Sequence, residues 1–222
     1  MKKTIAIDGP VGAGKSTVAK AVSERLGMHY LDTGAMYRTV GLAAVRRGID
    51  PHDEAAVTAM CGQIDVSVRY EEDGQHTLLD GEDVRGLIRA PQIGDAASAV
   101  GKHAAVRRKL VASQQRIAEL YDLVMDGRDI GTVVLPHATL KLFLTAAPEI
   151  RARRRYDEQQ AKGITDSFEK VLADLLARDE QDTHRAVDPL RAADDAVIFD
   201  SGALDFAQTV DAIVAMARER GI

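Results

Sequence analysis

Tryptophan is absent, aromatic residues together make up 4% of the chain, and there is a single cysteine, Cys61. So few rings argue against binding by stacking on a run of exposed aromatics. One thiol can form neither an intrachain disulfide nor a cysteine-based zinc site, which fits a reducing compartment. No apolar run approaches the ~18 residues of a membrane helix. The stretch Thr4–Ile7 is too short for a signal peptide and is broken by Asp8 and the glycines that follow. Basic residues are not in excess: 29 Lys and Arg stand against 34 Asp and Glu, a net charge of −5. Affinity for polymeric nucleic acid comes from neutralising phosphates, so DNA or RNA is a poor partner, while local basic patches remain open to small anions. There is no internal repeat and no Pro- or Ser-rich linker. These absences predict a cytoplasmic protein with neither membrane nor polymeric nucleic acid as partner.

What is there suits a folded enzyme core. At 222 residues, 45% hydrophobic and 28% charged, the chain makes one generous domain or a core with inserts, and a fold of this size hides ~70% of its unfolded surface. Short apolar runs at Thr4–Asp8, His29–Asp32, Leu123–Asp126, Leu140–Thr145 and Ala196–Asp200 read as strands. Several are continuous rather than alternating, as when helices cover both faces of a parallel sheet. Helical spacing fills the gaps: Val18, Val22 and Leu26; Val106, Leu110, Ile117 and Leu120; Phe168, Val171, Leu172, Leu175 and Leu176; Val210, Ile213, Val214 and Ala217. Asp166 with Glu169 three residues on predicts a capping-box start for the third of these helices. Between Ile64 and Val84 the pattern changes to alternation (Val66, Val68, Tyr70) around Asp73–Gly74, which predicts a small antiparallel insert of about three strands.

Gly9-Pro-Val-Gly-Ala-Gly14-Lys15-Ser16 matches G-x-x-x-x-G-K-[ST] between a strand and a helix, the context that gives this motif meaning. Glycines let the backbone curl so that N–H groups face phosphate oxygens, and the helix start adds partial positive charge. Gly9, Pro10, Val11, Gly12, Ala13, Gly14, Lys15, Ser16 and Thr17 are therefore the expected ATP-binding loop. Lys15 is placed on the β- and γ-phosphates and the Ser16 hydroxyl on Mg²⁺. No Asn-Lys-x-Asp base-reading motif of GTPases is present. Small size and a good supply of arginine favour phosphoryl transfer to a small acceptor.

Asp126-Gly-Arg128-Asp129 ends a strand, where α/β sheets bind ligands. Asp126 is expected on Mg²⁺ and Arg128 on a phosphate. Asp32-Thr33 opens a helix that Thr33 is fitted to cap, and Arg38 lies about one turn in. Arg151-Ala-Arg153-Arg154-Arg155 reads either as a solvated, salt-bridged helix face or as a mobile arginine lid that closes over phosphates, with Gly163 as its hinge. Arg178, Asp182 and Arg185 share one helix face, as an ion-pair ladder or as a site for a ribose and a phosphate.

Taken together and in order, IDGPVGAGKST, LDTGAMYR, LDGEDV with the IR after it, DGRDIGTVV, RARRR and RDEQDTHRAVDPL resemble bacterial cytidylate kinases over nearly the whole length. The resemblance implies a P-loop three-layer α/β fold with a five-stranded parallel sheet of order 2-3-1-4-5. It implies one kinase domain over residues 1–222, an acceptor-binding antiparallel insert at about 62–92 and a helical lid at about 150–165. The implied activity is ATP-dependent phosphorylation of CMP and dCMP with Mg²⁺, by a monomer. The resemblance also puts Thr33 near the acceptor and Arg38, Arg128 and Arg185 on its phosphate. Ser98, Arg107 and Asp129 fall on cytosine, and Arg178 with Asp182 on the ribose. Lys15, Arg128, Arg154 and Arg155 become the catalytic set. Two rivals remain: another small-acceptor kinase, for UMP, thymidylate or shikimate, and a non-catalytic nucleotide switch.

Overall fold

The computed structural model describes residues 2–161 and 163–222. In chain order the elements are β1 (Thr4–Asp8), α1 (Lys15–Leu26), β2 (His29–Asp32), α2 (Thr33–Arg46), α3 (Glu54–Cys61), β3 (Val66–Glu71), β4 (Gly74–Leu79), β5 (Glu82–Asp83), α4 (Pro91–Val100), α5 (Ala104–Leu120), β6 (Leu123–Asp126), β7 (Leu140–Thr145), α6 (Pro148–Ala161), α7 (Phe168–His184), β8 (Val197–Asp200) and α8 (Phe206–Glu219). A π-helical turn, Ile130–Val134, follows β6. The larger sheet has five strands in the order β2-β6-β1-β7-β8, and β3-β4-β5 form the smaller one. Counting only the strands of the larger sheet, that order is the 2-3-1-4-5 implied by the sequence.

The chain divides into two compact bodies. One comprises Lys3–Met28 and Asp122–Ile222. In it β1 pairs in parallel with β6 and β7, and β7 pairs in parallel with β8. Ile5, Ala6 and Ile7 have no solvent exposure, so the unbroken apolar run of β1 reflects cover on both faces. The expected α8 face is buried throughout at Val210, Ile213, Val214 and Ala217.

The other body is His29–Tyr121. Its antiparallel hairpin pairs Val66 with Leu79 through to Glu71 with Gly74, and β5 adds at Leu78 and Leu79. His76 is buried between carboxylates: Nε2 lies 2.6 Å from Asp73 Oδ1 and Nδ1 lies 2.8 Å from Asp83 Oδ2. Helices α2 and α4 pack closely because Gly41 has no side chain; a Cβ there would come within 2.9 Å of the Ala97 nitrogen.

Four local expectations need correction. Ser167, not Asp166, caps α7, accepting from the Lys170 N–H; the Asp166 carboxylate instead takes the Lys170 ammonium. Asp32, not Thr33, caps α2, accepting from the Ala35 N–H at 2.9 Å, and Thr33 is the first helical residue. Leu120 is exposed: the buried line of α5 runs Val106–Leu110–Gln114–Ala118, and two further residues rotate a side chain by about 200°. Leu176 is exposed for the same reason, one residue past the buried Val171 and Leu175 of α7. Among the described residues, no helix is long and apolar enough to cross a membrane.

Candidate active site

The phosphate loop runs from the end of β1 into α1. Gly9 passes so close to the β7 backbone that a Cβ would lie 2.0 Å from the Leu144 carbonyl oxygen; only glycine fits. Gly14 caps α1 in the left-handed region, at φ +83°. Lys15 is buried, and its ammonium donates to the Pro10 carbonyl at 2.6 Å. Burial, reinforced by the charge of Arg128, holds Lys15 well below the ordinary lysine value, while Asp126, Asp8 and Asp182 pull it back up. An ammonium so placed gains from an incoming polyanion, since phosphate charge offsets the hydration lost on burial.

Ser16 and Asp126 meet at once: the Ser16 hydroxyl donates to Asp126 Oδ2 at 2.7 Å. A hydroxyl and a buried carboxylate form an all-oxygen donor set, which suits a hard cation such as Mg²⁺. Asp8, at the end of β1, accepts from the Ile130 N–H at 2.8 Å and the Gly131 N–H at 2.7 Å. It thereby fixes the start of the π-helical turn directly after Arg128 and Asp129. Burial pushes the Asp8 carboxyl up to about 6, against the pull of those two N–H groups.

Beside the loop, arginines alternate with carboxylates. Arg128 Nε donates to Asp182 Oδ2 at 2.7 Å, and Arg178 Nε lies 3.6 Å from Asp182 Oδ1. Burial tends to raise the Asp182 carboxyl, but the guanidiniums of Arg128 and Arg178 outweigh it, and the group sits below its usual value. Arg185, just past the end of α7, donates to Asp129 Oδ1 at 3.1 Å and to the Asp188 carbonyl at 2.6 Å. The face predicted for Arg178, Asp182 and Arg185 is therefore no self-contained ladder. Its carboxylate reaches across to Arg128, and its last arginine turns to Asp129.

Of the α6 arginines, Arg151 points inward. It donates to the Val11 and Ala146 carbonyls and to Asp179. Arg153 lies over the Phe168 ring at 4.5 Å. Arg154 donates to the Ser201 hydroxyl and carbonyl, and Arg155 is half exposed, 3.6 Å from Glu158.

In the His29–Tyr121 body, Asp32 gathers two arginines. Arg89 donates to its Oδ2 at 2.9 Å, and Arg38 Nη1 stands 3.8 Å from the same oxygen. That Arg38 nitrogen is buried and makes no hydrogen bond. Gln75 brackets the Asp32 backbone, accepting from its N–H at 2.7 Å and donating to its carbonyl at 3.3 Å. Arg107, on α5, is buried with its guanidinium 5.8 Å from the Tyr37 ring centre. Ser98 lies on α4, part-exposed.

A cytidylate kinase family pattern matches residues 5–219. The chain belongs to the cytidylate kinase family. It is 49% identical to the cytidylate kinase of Mycolicibacterium paratuberculosis over 97% of this chain and 95% of that one. It is 42% identical to the cytidylate kinase of Halalkalibacterium halodurans over 99% of each. Among solved structures, an uncharacterised protein from Eubacterium ventriosum shares the fold, with a TM-score of 0.59 at 12% identity over 99% of each chain.

For a cytidylate kinase, three carboxylates emerge that residue patterns had not singled out: Asp8, Asp32 and Asp179. Arg89 is a fourth addition. Asp8 and Asp32 each stand at the last position of a strand, a signal that could have marked them. Arg89 and Asp179 had no such signal.

Proposed function

We propose that the chain transfers the γ-phosphoryl group of ATP to CMP or dCMP, giving ADP and CDP or dCDP. Family membership carries the activity. The observation that supports it from the geometry is the array of Arg128, Arg178 and Arg185, held by Asp182 and Asp129 on the same body as buried Lys15. An ATPase or a switch needs one anion site; this body offers cations well beyond the loop.

Roles follow from chemistry. Gly9–Thr17 cradle the donor phosphates, with Lys15 on the β- and γ-oxygens. Ser16 and Asp126 would hold Mg²⁺, which supplies positive charge to the donor phosphates. Arg128, Arg185 and Arg38 take the acceptor phosphate, and Thr33 lies near the acceptor. Arg178 and Asp182 hold the ribose, while Asp129, Ser98 and Arg107 read the base. Arg154 and Arg155 are lid residues that approach the transferring group. The acceptor insert is assigned to residues 62–92 and the lid to 150–165.

The acceptor phosphate oxygen attacks the γ-phosphorus in line with the leaving ADP oxygen. A phosphate monoester has a second pKa of about 6 and is already ionised at neutral pH, so no strong general base is required. Lys15 and the arginines lower the barrier by position and by charge complementary to the spreading negative charge. The protein acts as a monomer in the cytoplasm.

The test is a coupled assay of ADP release against a panel of CMP, dCMP, UMP, dTMP and shikimate. CMP and dCMP are expected to give the highest kcat/KM. Preference for another acceptor would overturn the reading, and absence of turnover with every acceptor would make the chain a nucleotide switch.

A further inference from the structure

Arg151 and Asp179 close on the apex of the phosphate loop from α6 and α7. Asp179 Oδ1 accepts from the Val11 N–H at 3.1 Å. Arg151 Nη1 donates to the Val11 carbonyl at 2.8 Å and to Asp179 Oδ2 at 2.6 Å, while its Nε donates to the Ala146 carbonyl at 2.9 Å. Both side chains are largely shielded, at 5% and 18% exposure. The next residue, Gly12, sits against the same helices; a Cβ there would meet Leu175 Cδ1 at 3.1 Å and the Arg151 carbonyl at 3.2 Å.

The consequence runs through one peptide plane. The Val11 N–H belongs to the same peptide unit as the Pro10 carbonyl, and that carbonyl accepts from the Lys15 ammonium at 2.6 Å. There are no cis peptide bonds among the described residues. In a trans unit the N–H and C=O point in opposite directions, so aiming the N–H at Asp179 aims the C=O at Lys15. The next peptide unit is fixed in turn by Arg151 on the Val11 carbonyl. We propose that Asp179 and Arg151 are positioning residues that orient Lys15 for the donor phosphates through the Pro10–Val11 peptide.

The proposal rests on the kinase reading above, and deepens it. Asp179 lies between Arg178 and Asp182, the pair assigned to the ribose, so one turn of α7 serves donor and acceptor together. Neither Asp179 nor Arg151 needs to touch a substrate to do so.

The experiment measures ATP affinity by calorimetry, alongside kcat and both KM values, for Asp179→Ala, Asp179→Asn, Lys15→Met and the Asp179→Ala/Lys15→Met pair. Thermal melts check the fold. Asp179→Ala is expected to weaken ATP binding about tenfold, the scale of a lost charge-assisted contact, and to leave KM for CMP within about twofold. Asp179→Asn keeps an acceptor for the Val11 N–H and should recover most of the loss. In the Lys15→Met background the Asp179→Ala change should cost less than about twofold, since both act through one ammonium. Full additivity of the two changes, or an equal rise in KM for CMP, would overturn the proposal. If Asp179→Ala does not fold, Arg151→Met decides it, since it keeps much of the side-chain volume but removes the donors to the Val11 carbonyl and to Asp179: weaker ATP binding is expected, and an unchanged ATP affinity would overturn the proposal. A wild-type chain that binds ATP but phosphorylates no acceptor sinks the kinase reading, while the affinity cycle still tests the clamp.

Discussion

Arg185 donates through Nη2 to Oδ1 of Asp129 at 3.1 Å across 56 residues of sequence, with both side chains about nine-tenths shielded from solvent. One oxygen of Asp129 is thus held by the Arg185 guanidinium. A carboxylate accepts from the cytosine N4 amine, but it meets the uracil O4 acceptor to acceptor. UMP is expected to be disfavoured by about 5- to 150-fold in kcat/KM. Asp129→Asn, which can donate as well as accept, should lower kcat/KM for CMP and narrow the CMP/UMP ratio. If both values fall and the ratio stays, Asp129 serves to hold Arg185, and base reading belongs to Ser98 and Arg107.

Lys15→Met removes the buried ammonium and keeps the aliphatic stem. If that ammonium serves the transferring phosphates as proposed, kcat should drop by roughly 10²–10³ while the thermal melt remains cooperative. A folded Lys15→Met protein with near-normal kcat would remove the role given to the loop lysine.

The arginines of α6 are not equivalent. Arg154 is engaged with Ser201, whereas Arg155 is half exposed beside Glu158. Replacing both with Ala is expected to reduce kcat far more than CMP affinity, and to raise ATP hydrolysis relative to transfer because water is less well excluded. Arg155→Ala alone should account for most of the effect. An unchanged kcat in the double variant would make these residues a solvated helix face.

The strands were legible because both-face burial writes itself as unbroken apolar runs, as in Ile5–Ala6–Ile7. The phosphate loop was legible because its glycines answer local needs, such as the approach of Gly9 to the Leu144 carbonyl. Pairings between distant residues leave no local pattern. Arg89 reaches Asp32 across 57 residues, and Asp179 reaches Val11 across 168. Within RDEQD, Asp179 looks like any acid on a charged helix. The α2 and α7 caps were each misplaced by one residue, since adjacent Asp–Thr and Asp–Ser pairs offer two capping groups and only the chain path chooses between them.

Asp8 gives a pH signature separate from the transfer chemistry. Its carboxyl is pushed by burial to about 6 from an ordinary 3.8. Between those values the folded chain keeps a proton that the unfolded chain has released. Stability therefore falls as pH rises across this window, and levels off above it. The full cost at neutral pH is about 3 kcal/mol. Asp8→Asn abolishes the titration and keeps one acceptor for the Ile130 and Gly131 N–H pair. It should consequently gain about 2 kcal/mol relative to wild type between pH 4.5 and pH 7, whatever its offset at a single pH. The measurement is urea unfolding of both proteins, without nucleotide, at intervals across that range. A stability difference that does not change with pH would mean that Asp8 is ionised throughout, held by its two N–H donors more strongly than burial opposes them.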